Sequence, residues 1–238
     1  MTMKDKPNLM KVMYDYVLDL LGNLSIYSMY YSAKNDEPRL LFEHQKCNQL
    51  TIRSPLPTNC MNHAIEQMEI SQYLELKFPE TSNFYCENAR FSVDQLVIEN
   101  AQWMSRETFL GLDCMQITLT RISIGTEDIM DFIRKWYHST EKKRLCWMKL
   151  RGCVQQRSLD LSEFQPTEWN PNVRGRYFGL VNLNESGIRK LDCSSGVDVI
   201  RKDGLLATII PRSMDLHFVV WHERFQEQYD KYQTEMFW

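Results

Sequence analysis

The chain has 238 residues, of which 43% are hydrophobic and 12% aromatic, so it can bury a sizeable core and is not disordered over most of its length. Its net charge of −3 offers no basic field for nucleic acid or anionic lipid, and its 9 glycines form no phosphate-binding motif. The first residues lack a signal-peptide core, and no window approaches about 18 apolar residues. We therefore expect an intracellular protein, cytoplasmic or nuclear, that does not bind a membrane.

The first predicted element is an amphipathic helix within residues 1–22. Its apolar side chains recur three or four positions apart, which is the spacing of one helix face. Gly22 follows the last of them and is a natural helix end. We expect this helix to cap the region that follows and to cover its open sheet edge. The apolar positions are Leu9, Val12, Met13, Tyr16, Val17, Leu20 and Leu21.

A recurring pair of apolar residues, separated by one position, marks residues 23–160. Each pair directs two side chains to one face of a short strand, and the pairs recur roughly every 20–30 residues, as in leucine-rich repeats. The sequence therefore predicts an α/β fold with a leucine-rich-repeat-like stack of short parallel strands and helices on one side. An ordinary α/β sheet with evenly spaced strands is the alternative. The pairs are Leu50/Ile52, Leu74/Leu76, Leu96/Ile98, Ile117/Leu119 and Met148/Leu150.

The clearest helix of this region is TEDIMDFIRKWYHS, in the longest interval between two pairs. Thr126 is the expected N-cap, and the carboxylates of Glu127 and Asp128 favour the positive end of the helix. Apolar residues then recur with helical spacing and predict a face that packs on the sheet. They are Ile129, Phe132, Ile133 and Trp136.

Residues 161–238 are predicted to form a small antiparallel β meander and a C-terminal helix. Asp203-Gly204 indicates a two-residue hairpin turn between the strands Val197–Lys202 and Leu205–Ile210. Met214–Trp221 is the expected third strand. The closing segment from Glu223 is charged with an aromatic side, which predicts the final helix.

Two segments resemble the F-box-associated domain family, of the type expanded in nematodes. DIMDFIRKW, Asp128–Trp136, is similar to the family's D-L-N-x-F-L-K-x-W helix, although Met130 and Arg134 depart from it. DVIRKDGLLATI, Asp198–Ile209, is similar to the family's D-I-x-R-x-D-G-x-x-A-T-I hairpin, which precedes a strand ending in Trp, here Trp221. The resemblance runs from about residue 10 to about residue 222 and implies one continuous domain.

The resemblance implies the substrate-recruiting region of a ubiquitin-ligase receptor. Full-length members place an F-box in front of this region, and no such segment precedes the first predicted helix. We therefore expect a Skp-type adaptor and a cullin ligase as partners only if an F-box is present elsewhere; the sequence does not identify the target protein. The alternatives are a hydrolase or transferase with an unrecognised site, and a free-standing or degenerate domain without ligase coupling.

No residue pattern indicates catalysis, a cofactor or a metal site. HExxH and GxSxG do not occur, and the seven cysteines are irregularly spaced without a CxxC. Cys146 and Cys153 are an odd number of positions apart on a predicted strand, so they point to opposite faces and are poorly placed to hold one ion. We expect reduced thiols that pack as small hydrophobic groups.

The residues beside each apolar pair are expected to point outward along the open side of the sheet. Aromatic and Arg side chains usually dominate the recognition of protein partners. We therefore predict a non-enzymatic protein-binding module, with an ordinary solvated face as the alternative. The candidate contact residues are Arg53, Tyr73, Glu75, Lys77, Glu99, Trp147, Lys149 and Arg151, together with Trp169 in the polar loop.

Overall fold

Short strands with apolar residues at alternate positions assemble into one large sheet, because a single strand buries too little apolar surface to be stable alone. The computed structural model describes residues 12, 16, 26–31, 45–53, 56–78, 84–86, 88–139, 144–152, 159–181 and 188–225. Within these residues the strands form a ten-stranded sheet and a separate two-stranded sheet. The chain is a mixed α/β protein whose large sheet is mostly parallel.

Consecutive strands make the parallel part of the large sheet. Each strand lies beside the next one in the chain and runs parallel to it. Each connection therefore brings the chain from the end of one strand back to the opposite edge of the sheet, where the next strand starts, as parallel strands require. The strands are β1 (Ile26–Tyr31), β2 (Lys46–Ile52), β3 (Glu69–Lys77), β4 (Gln95–Glu99), β5 (Gln116–Thr120) and β6 (Trp147–Arg151).

The five apolar pairs line up in register across β2 to β6. Their first members form one continuous row: Leu50, Leu74, Leu96, Ile117 and Met148. Their second members form the adjacent row: Ile52, Leu76, Ile98, Leu119 and Leu150. All of these side chains are buried in one core. The predicted alignment on neighbouring parallel strands is confirmed.

Strand β1 extends both rows by one position and was not predicted. Met29 lies opposite Leu50, and Tyr31 lies opposite Ile52. Both Met29 and Tyr31 are buried in the same core. The sequence pattern missed this strand because Met and Tyr occupy the two positions that aliphatic residues fill elsewhere.

The helices lie between the parallel strands and pack on one side of the sheet. Ile65, Phe109 and Trp136 each contribute to the same core as the two strand rows. This layer of helices covers the apolar side of the sheet, which a parallel sheet needs for stability. The described helices of this layer are α1 (Thr58–Glu66), α2 (Arg106–Leu110) and α3 (Thr126–His138), and described 3₁₀ turns lie at Ala101–Trp103 and Ser162–Phe164.

The N-cap of helix α3 is Gly125, and Thr126 is its first helical residue. Asp128 Oδ2 accepts a hydrogen bond of 3.0 Å from the Gly125 N–H. The same carboxylate lies in the first turn, where it favours the positive end of the helix. The prediction of Thr126 as the N-cap is wrong by one position, because the Asp128 side chain satisfies the N–H at the helix start.

The C-terminal strands complete the sheet in antiparallel orientation. Beyond β6 the order continues with β12 (Asp215–Trp221), β11 (Leu206–Pro211), β10 (Val197–Ile200) and the two-residue β7 (Thr167–Glu168). Strands β8 (Tyr177–Val181) and β9 (Ile188–Asp192) form the separate antiparallel hairpin. The predicted antiparallel arrangement of this region is confirmed.

The connection between β10 and β11 is longer than the predicted two-residue turn. The Gly204 N–H donates to the Arg201 carbonyl at 2.9 Å, and the Arg201 N–H donates to the Leu205 carbonyl at 2.9 Å. Lys202 and Asp203 are thus the central residues of the turn. Gly204 follows them with φ of 84°, a left-handed conformation that glycine adopts without strain. The predicted turn length is wrong because Gly204 adds a bulge.

The hairpin of β8 and β9 packs on the second side of the sheet, over β11 and β12. Phe178 and Leu191 from the hairpin join Ile210 and Trp221 from the sheet in a second apolar cluster. The Phe178 and Trp221 rings meet edge to face, with centroids 5.2 Å apart. The antiparallel end of the sheet is therefore covered on both sides.

The two predicted terminal helices fall largely outside the described residues. Val12 and Tyr16 are helical, but they are 48% and 64% exposed, so they do not bury the predicted apolar face. The other positions of that face, Cys153, and the chain after Phe225 lie outside the described residues. Glu223 lies in a bend rather than a helix. The domain boundaries near residues 22 and 160 stay predictions.

Candidate partner-binding face

The side of β2 to β6 opposite the helices carries the residues that alternate with the buried pairs. We call this side the outer face. The pairing places its side chains in rows across the strands, as it does for the core. One row contains Gln49, Tyr73, Gln95, Gln116 and Trp147. The next contains Thr51, Glu75, Val97, Thr118 and Lys149, and the last contains Lys77, Glu99, Thr120 and Arg151, with Arg53 directly after β2.

Arg53, Glu75 and Tyr73 form one hydrogen-bonded cluster on the outer face. The Arg53 guanidinium donates to both Glu75 oxygens, at 2.8 and 3.0 Å, and the Tyr73 hydroxyl donates to Glu75 Oε2 at 3.0 Å. The two hydrogen bonds and the charge of Glu75 raise the pKa of Arg53. Tyr73 and Glu75 are each only 5% exposed. They therefore support the exposed Arg53 rather than stand open as the contact residues that the sequence predicted.

Lys77 and Glu99 are neighbours on β3 and β4 and form an ion pair of 2.9 Å on the outer face. Their side chains are 52% and 43% exposed, so water screens the pair. A pair of this kind contributes between about 0 and 1 kcal/mol to stability. The structure thus places both predicted residues on the surface, where they are accessible to a partner.

Trp147 lies where β6 meets β12 and contacts His217 on β12. Trp147 Nε1 donates a hydrogen bond of 3.2 Å to His217 Nδ1, and the two rings are stacked at 27° with centroids 6.0 Å apart. Trp147 also packs against the second apolar cluster, so it is only partly exposed. It is held from two sides, and its replacement would disturb the sheet as well as the face.

His217 is neutral at pH 7 because of its surroundings. Burial is the main cause that lowers its pKa to about 4; the positive charges of Arg212 and Lys149 act in the same direction, and the charge of Asp215 opposes them. A neutral ring lets Nδ1 accept the hydrogen bond from Trp147. The sequence did not identify His217 as part of the face, because it comes from an antiparallel strand whose partner was not predicted.

Lys149 and Arg151 share one carboxylate at this end of the outer face. Lys149 Nζ lies 3.5 Å from one Asp215 oxygen, and Arg151 Nε lies 3.5 Å from the other. The side chain of Arg151 is 59% exposed, whereas that of Lys149 is 27% exposed. The structure therefore brings Trp147, Lys149 and Arg151 together, as predicted from their alternation on one strand.

Trp169 lies apart from the other candidates. It follows β7, which is at the end of the large sheet opposite β1 and is separated from β6 by β12, β11 and β10. Its indole Nε1 is buried, and its side chain is partly exposed. The structure thus does not bring Trp169 to the outer face of β2 to β6.

The cysteines described by the structure are free thiols, and most are buried. Burial raises the pKa of Cys47 and Cys114 to about 11 and that of Cys193 to about 12. These thiols are therefore protonated and unreactive at neutral pH. Cys146 lies just before β6 and packs against the second apolar cluster.

A buried polar network connects the antiparallel strands β10, β11 and β12 with the loop before β8, and the sequence did not predict it. Arg174 is 0% exposed, and its Nε donates to both Asp198 oxygens at 2.9 and 3.0 Å. Thr208 Oγ1 donates to Asp198 at 2.7 Å, and Trp221 Nε1 donates to Thr208 Oγ1 at 2.8 Å. Arg174 also donates to the Cys193 carbonyl at 2.9 Å. The network ties the polar loop and the β8–β9 hairpin to the sheet.

The described part of the chain holds no group of three or more His, Cys, Asp or Glu side chains placed to bind a metal ion. In the same part, none of the helices is long and apolar enough to cross a membrane.

Residues 87–150, which run from before β4 through most of β6, match the sequence model of a family described as F-box associated. This stretch contains the α3 helix, which carries the first of the two resembling segments. The predicted resemblance to the F-box-associated family is confirmed over these residues.

Relatives from Caenorhabditis elegans match most of the chain. The uncharacterized protein F59B2.9 is 28% identical over 195 residues, which are 77% of this chain and 44% of the relative. The uncharacterized protein F59B2.8 is 25% identical over 231 residues, 88% of this chain and 52% of the relative. The chain thus spans about half the length of the curated relatives it matches. No solved structure matches the chain.

Proposed function

We propose that this chain is a non-enzymatic protein-binding module whose outer face captures a target protein. The observation that supports this most is the register of the parallel strands. It buries the apolar pairs on one side and thereby holds rows of mainly polar side chains, with several charged and aromatic ones among them, on the other. Side chains fixed on strands form a pre-organised surface, which lowers the entropic cost of binding.

We further propose that the parallel part is leucine-rich-repeat-like. The strands from β1 to β6 follow chain order within the sheet, and the described helices between them pack on one side. In such a stack each repeat adds one strand to a continuous surface, which is how repeat proteins build extended partner-binding faces. The outer face is the surface that this arrangement extends.

The F-box-associated resemblance supports a more specific role for the captured protein. Regions of this family are associated with substrate binding by F-box proteins, so we propose that the target is a substrate for ubiquitination. A Skp-type adaptor and a cullin ligase would join through an F-box outside the matched residues, in the cytoplasm or nucleus. Co-precipitation of the adaptor with a longer protein that contains this chain and an F-box, but not with this chain alone, is the expected result.

Blocking the centre of the outer face tests the binding function. Thr118 lies between Val97 and Lys149 in the middle row and is partly exposed. Thr118→Tyr places a large side chain there, of a type that strands accept. Gln102→Tyr is the matched control, because Gln102 is exposed on a connection whose neighbours pack into the helix-side core.

Quantitative affinity capture from cell extract provides the measurement. We expect Thr118→Tyr to lose specifically captured proteins by at least about tenfold, while Gln102→Tyr retains them. Equal capture by both variants, with thermal midpoints within about 3 °C of the unaltered chain, would exclude the outer face as the binding surface.

A further inference from the structure

Positive charge is concentrated at the end of the outer face where β6 meets β12. Lys149 and Arg151 lie on β6, and Arg212 lies in the turn before β12. Asp215 is the carboxylate that the described ion pairs place against Lys149 and Arg151. These four side chains carry a local net positive charge, although the whole chain has a net charge of −3. The net charge of this region is therefore positive, whereas the net charge of the whole chain is negative.

The contact between these cations and Asp215 leaves hydrogen-bonding capacity unused. Lys149 Nζ and Arg151 Nε each lie 3.5 Å from the carboxylate, whereas other ion pairs on the outer face are 2.8 and 2.9 Å long. A guanidinium has five N–H donors in a planar fork, and the Arg151 side chain is 59% exposed. A second carboxylate arriving from solvent can therefore reach both cations.

His217 borders these cations as a neutral, buried ring. Its Nδ1 accepts from Trp147 Nε1, so the neutral ring carries its proton on Nε2. That Nε2 is buried and has no hydrogen-bond partner, and the residue is only 4% exposed. The ring therefore adds no charge of its own beside Lys149 and leaves the positive charge of the cations unopposed on this side.

We propose that Trp147, Lys149, Arg151, Asp215 and His217, which we call the basic corner, bind an acidic segment of the captured protein. Carboxylate oxygens of the partner accept from Lys149 and Arg151, whose side chains reach solvent. The Trp147 ring supplies the apolar surface beside these donors. This inference rests on the proposed function and adds the chemical class of the partner.

An acidic protein segment fits the basic corner better than a second copy of the chain. Charge complementarity steers association and suppresses like-charged partners, and the net-negative chain repels its own copies. A second copy nevertheless offers 31 acidic residues, so the experiment must separate the two occupants.

Binding of a labelled hexaglutamate peptide to the full chain tests the acidic class directly. Fluorescence anisotropy should show saturable binding that weakens as salt rises, and hexaglutamine should not bind. Lys149→Gln with Arg151→Gln should weaken hexaglutamate binding by at least about tenfold, because two charged donors are lost. Lys46→Gln with Lys202→Gln removes the same charge elsewhere and should change binding by less than about twofold.

The assignment of the basic corner would be overturned if hexaglutamate does not bind the chain. It would also be overturned if the double variant of Lys149 and Arg151 binds hexaglutamate as well as the unaltered chain does. Sedimentation of the same samples detects self-association. Dimers that persist in excess hexaglutamate but disappear in the double variant would also overturn the assignment, because a second copy would then occupy the basic corner. If hexaglutamate fails while Thr118→Tyr still loses its captured proteins, the acidic class is wrong and the binding function stands. Hexaglutamate binding together with an ineffective Thr118→Tyr would exclude the centre of the outer face as the capture surface and leave the basic corner as an isolated acidic-ligand site.

Discussion

The Arg201 guanidinium lies over the indole ring of Trp136, 5.4 Å from the ring centroid. Arg201, directly after β10, is 3% exposed, and Trp136 is 1% exposed on α3. Arg201 also donates to both oxygens of Asp203, at 3.1 and 2.6 Å. The two segments that resemble the F-box-associated family, one around each of these residues, are therefore parts of one packed unit.

Replacing Arg201 with Gln tests this connection between α3 and the β10–β11 turn. The change removes a buried cation from the Trp136 ring, and a desolvated cation–π contact contributes about 2 kcal/mol. We expect the free energy of unfolding to fall by about 2–3 kcal/mol in urea titrations. Lys202→Gln, one residue later in the exposed turn, is the matched control and should cost less than about 0.5 kcal/mol. Similar losses for both variants would contradict the connection.

The buried pair of Arg174 and Asp198 predicts non-additive mutations. Arg174→Met leaves the Asp198 carboxylate buried without its cation, so we expect a loss of about 3–5 kcal/mol in the free energy of unfolding. Asp198→Asn should also destabilise the chain, because Arg174 then lacks its counter-ion. The double variant should lose clearly less than the sum of the two, which a double-mutant cycle by urea denaturation measures. Strictly additive losses would show that the pair does not act as a unit.

His217 predicts a pH dependence of stability in a defined window. Its pKa in the folded chain is lowered from 6.5 to about 4, so between these values the unfolded state binds more protons than the folded state. Stability from this group is complete above pH 6.5 and is lost as the pH falls toward 4. We expect a loss of about 3 kcal/mol over this window in the free energy of unfolding.

A matched pair of histidine variants isolates that contribution. His217→Asn can still accept from Trp147 but does not titrate, so it should remove most of the slope between pH 6.5 and pH 4. His138 is exposed on α3, and His138→Asn should leave the slope unchanged. A slope that survives His217→Asn would assign the pH dependence to other groups.

Truncating side chains on the two faces of β4 should destabilise the chain by very different amounts. Leu96 is 0% exposed in the core row, and Leu96→Ala should cost about 2–5 kcal/mol in the free energy of unfolding. Val97, the next residue, lies on the outer face and is partly exposed, so Val97→Ala should cost less than about 1 kcal/mol. Chemical denaturation of both variants measures the difference, and equal costs would contradict the assignment of the two faces.

The parallel part of the fold could be predicted because each strand is marked by an alternation of apolar residues within a few neighbouring positions. Leu96 and Ile98 alternate with polar or smaller residues over a few positions, and the same alternation recurs at near-regular spacing. Strand β1 departs from that composition and was missed. The contact between Arg174 and Asp198 joins residues 24 positions apart, one of them in a polar loop, so no local pattern in one sequence reveals it.

The candidate site, like the fold, could be predicted where it depends on alternation within one strand, but not where it depends on contacts between distant segments. Lys149 and Arg151 alternate with buried residues on one strand, so their outward direction followed from sequence. Asp215 and His217 join them from β12, whose pairing with β6 depends on long-range packing. Tyr73 also points outward, but its burial depends on tertiary contacts that alternation does not encode.

A photo-crosslinking amino acid incorporated at position 118 offers the most direct measurement of partner contact. The middle of the outer face should yield covalent adducts with a captured protein, and the adduct should disappear when an excess of uncoupled chain competes. The same crosslinker at position 102, on the helix side, should yield none. Adducts from position 102 alone, or equal adducts from both positions, would contradict binding through the outer face.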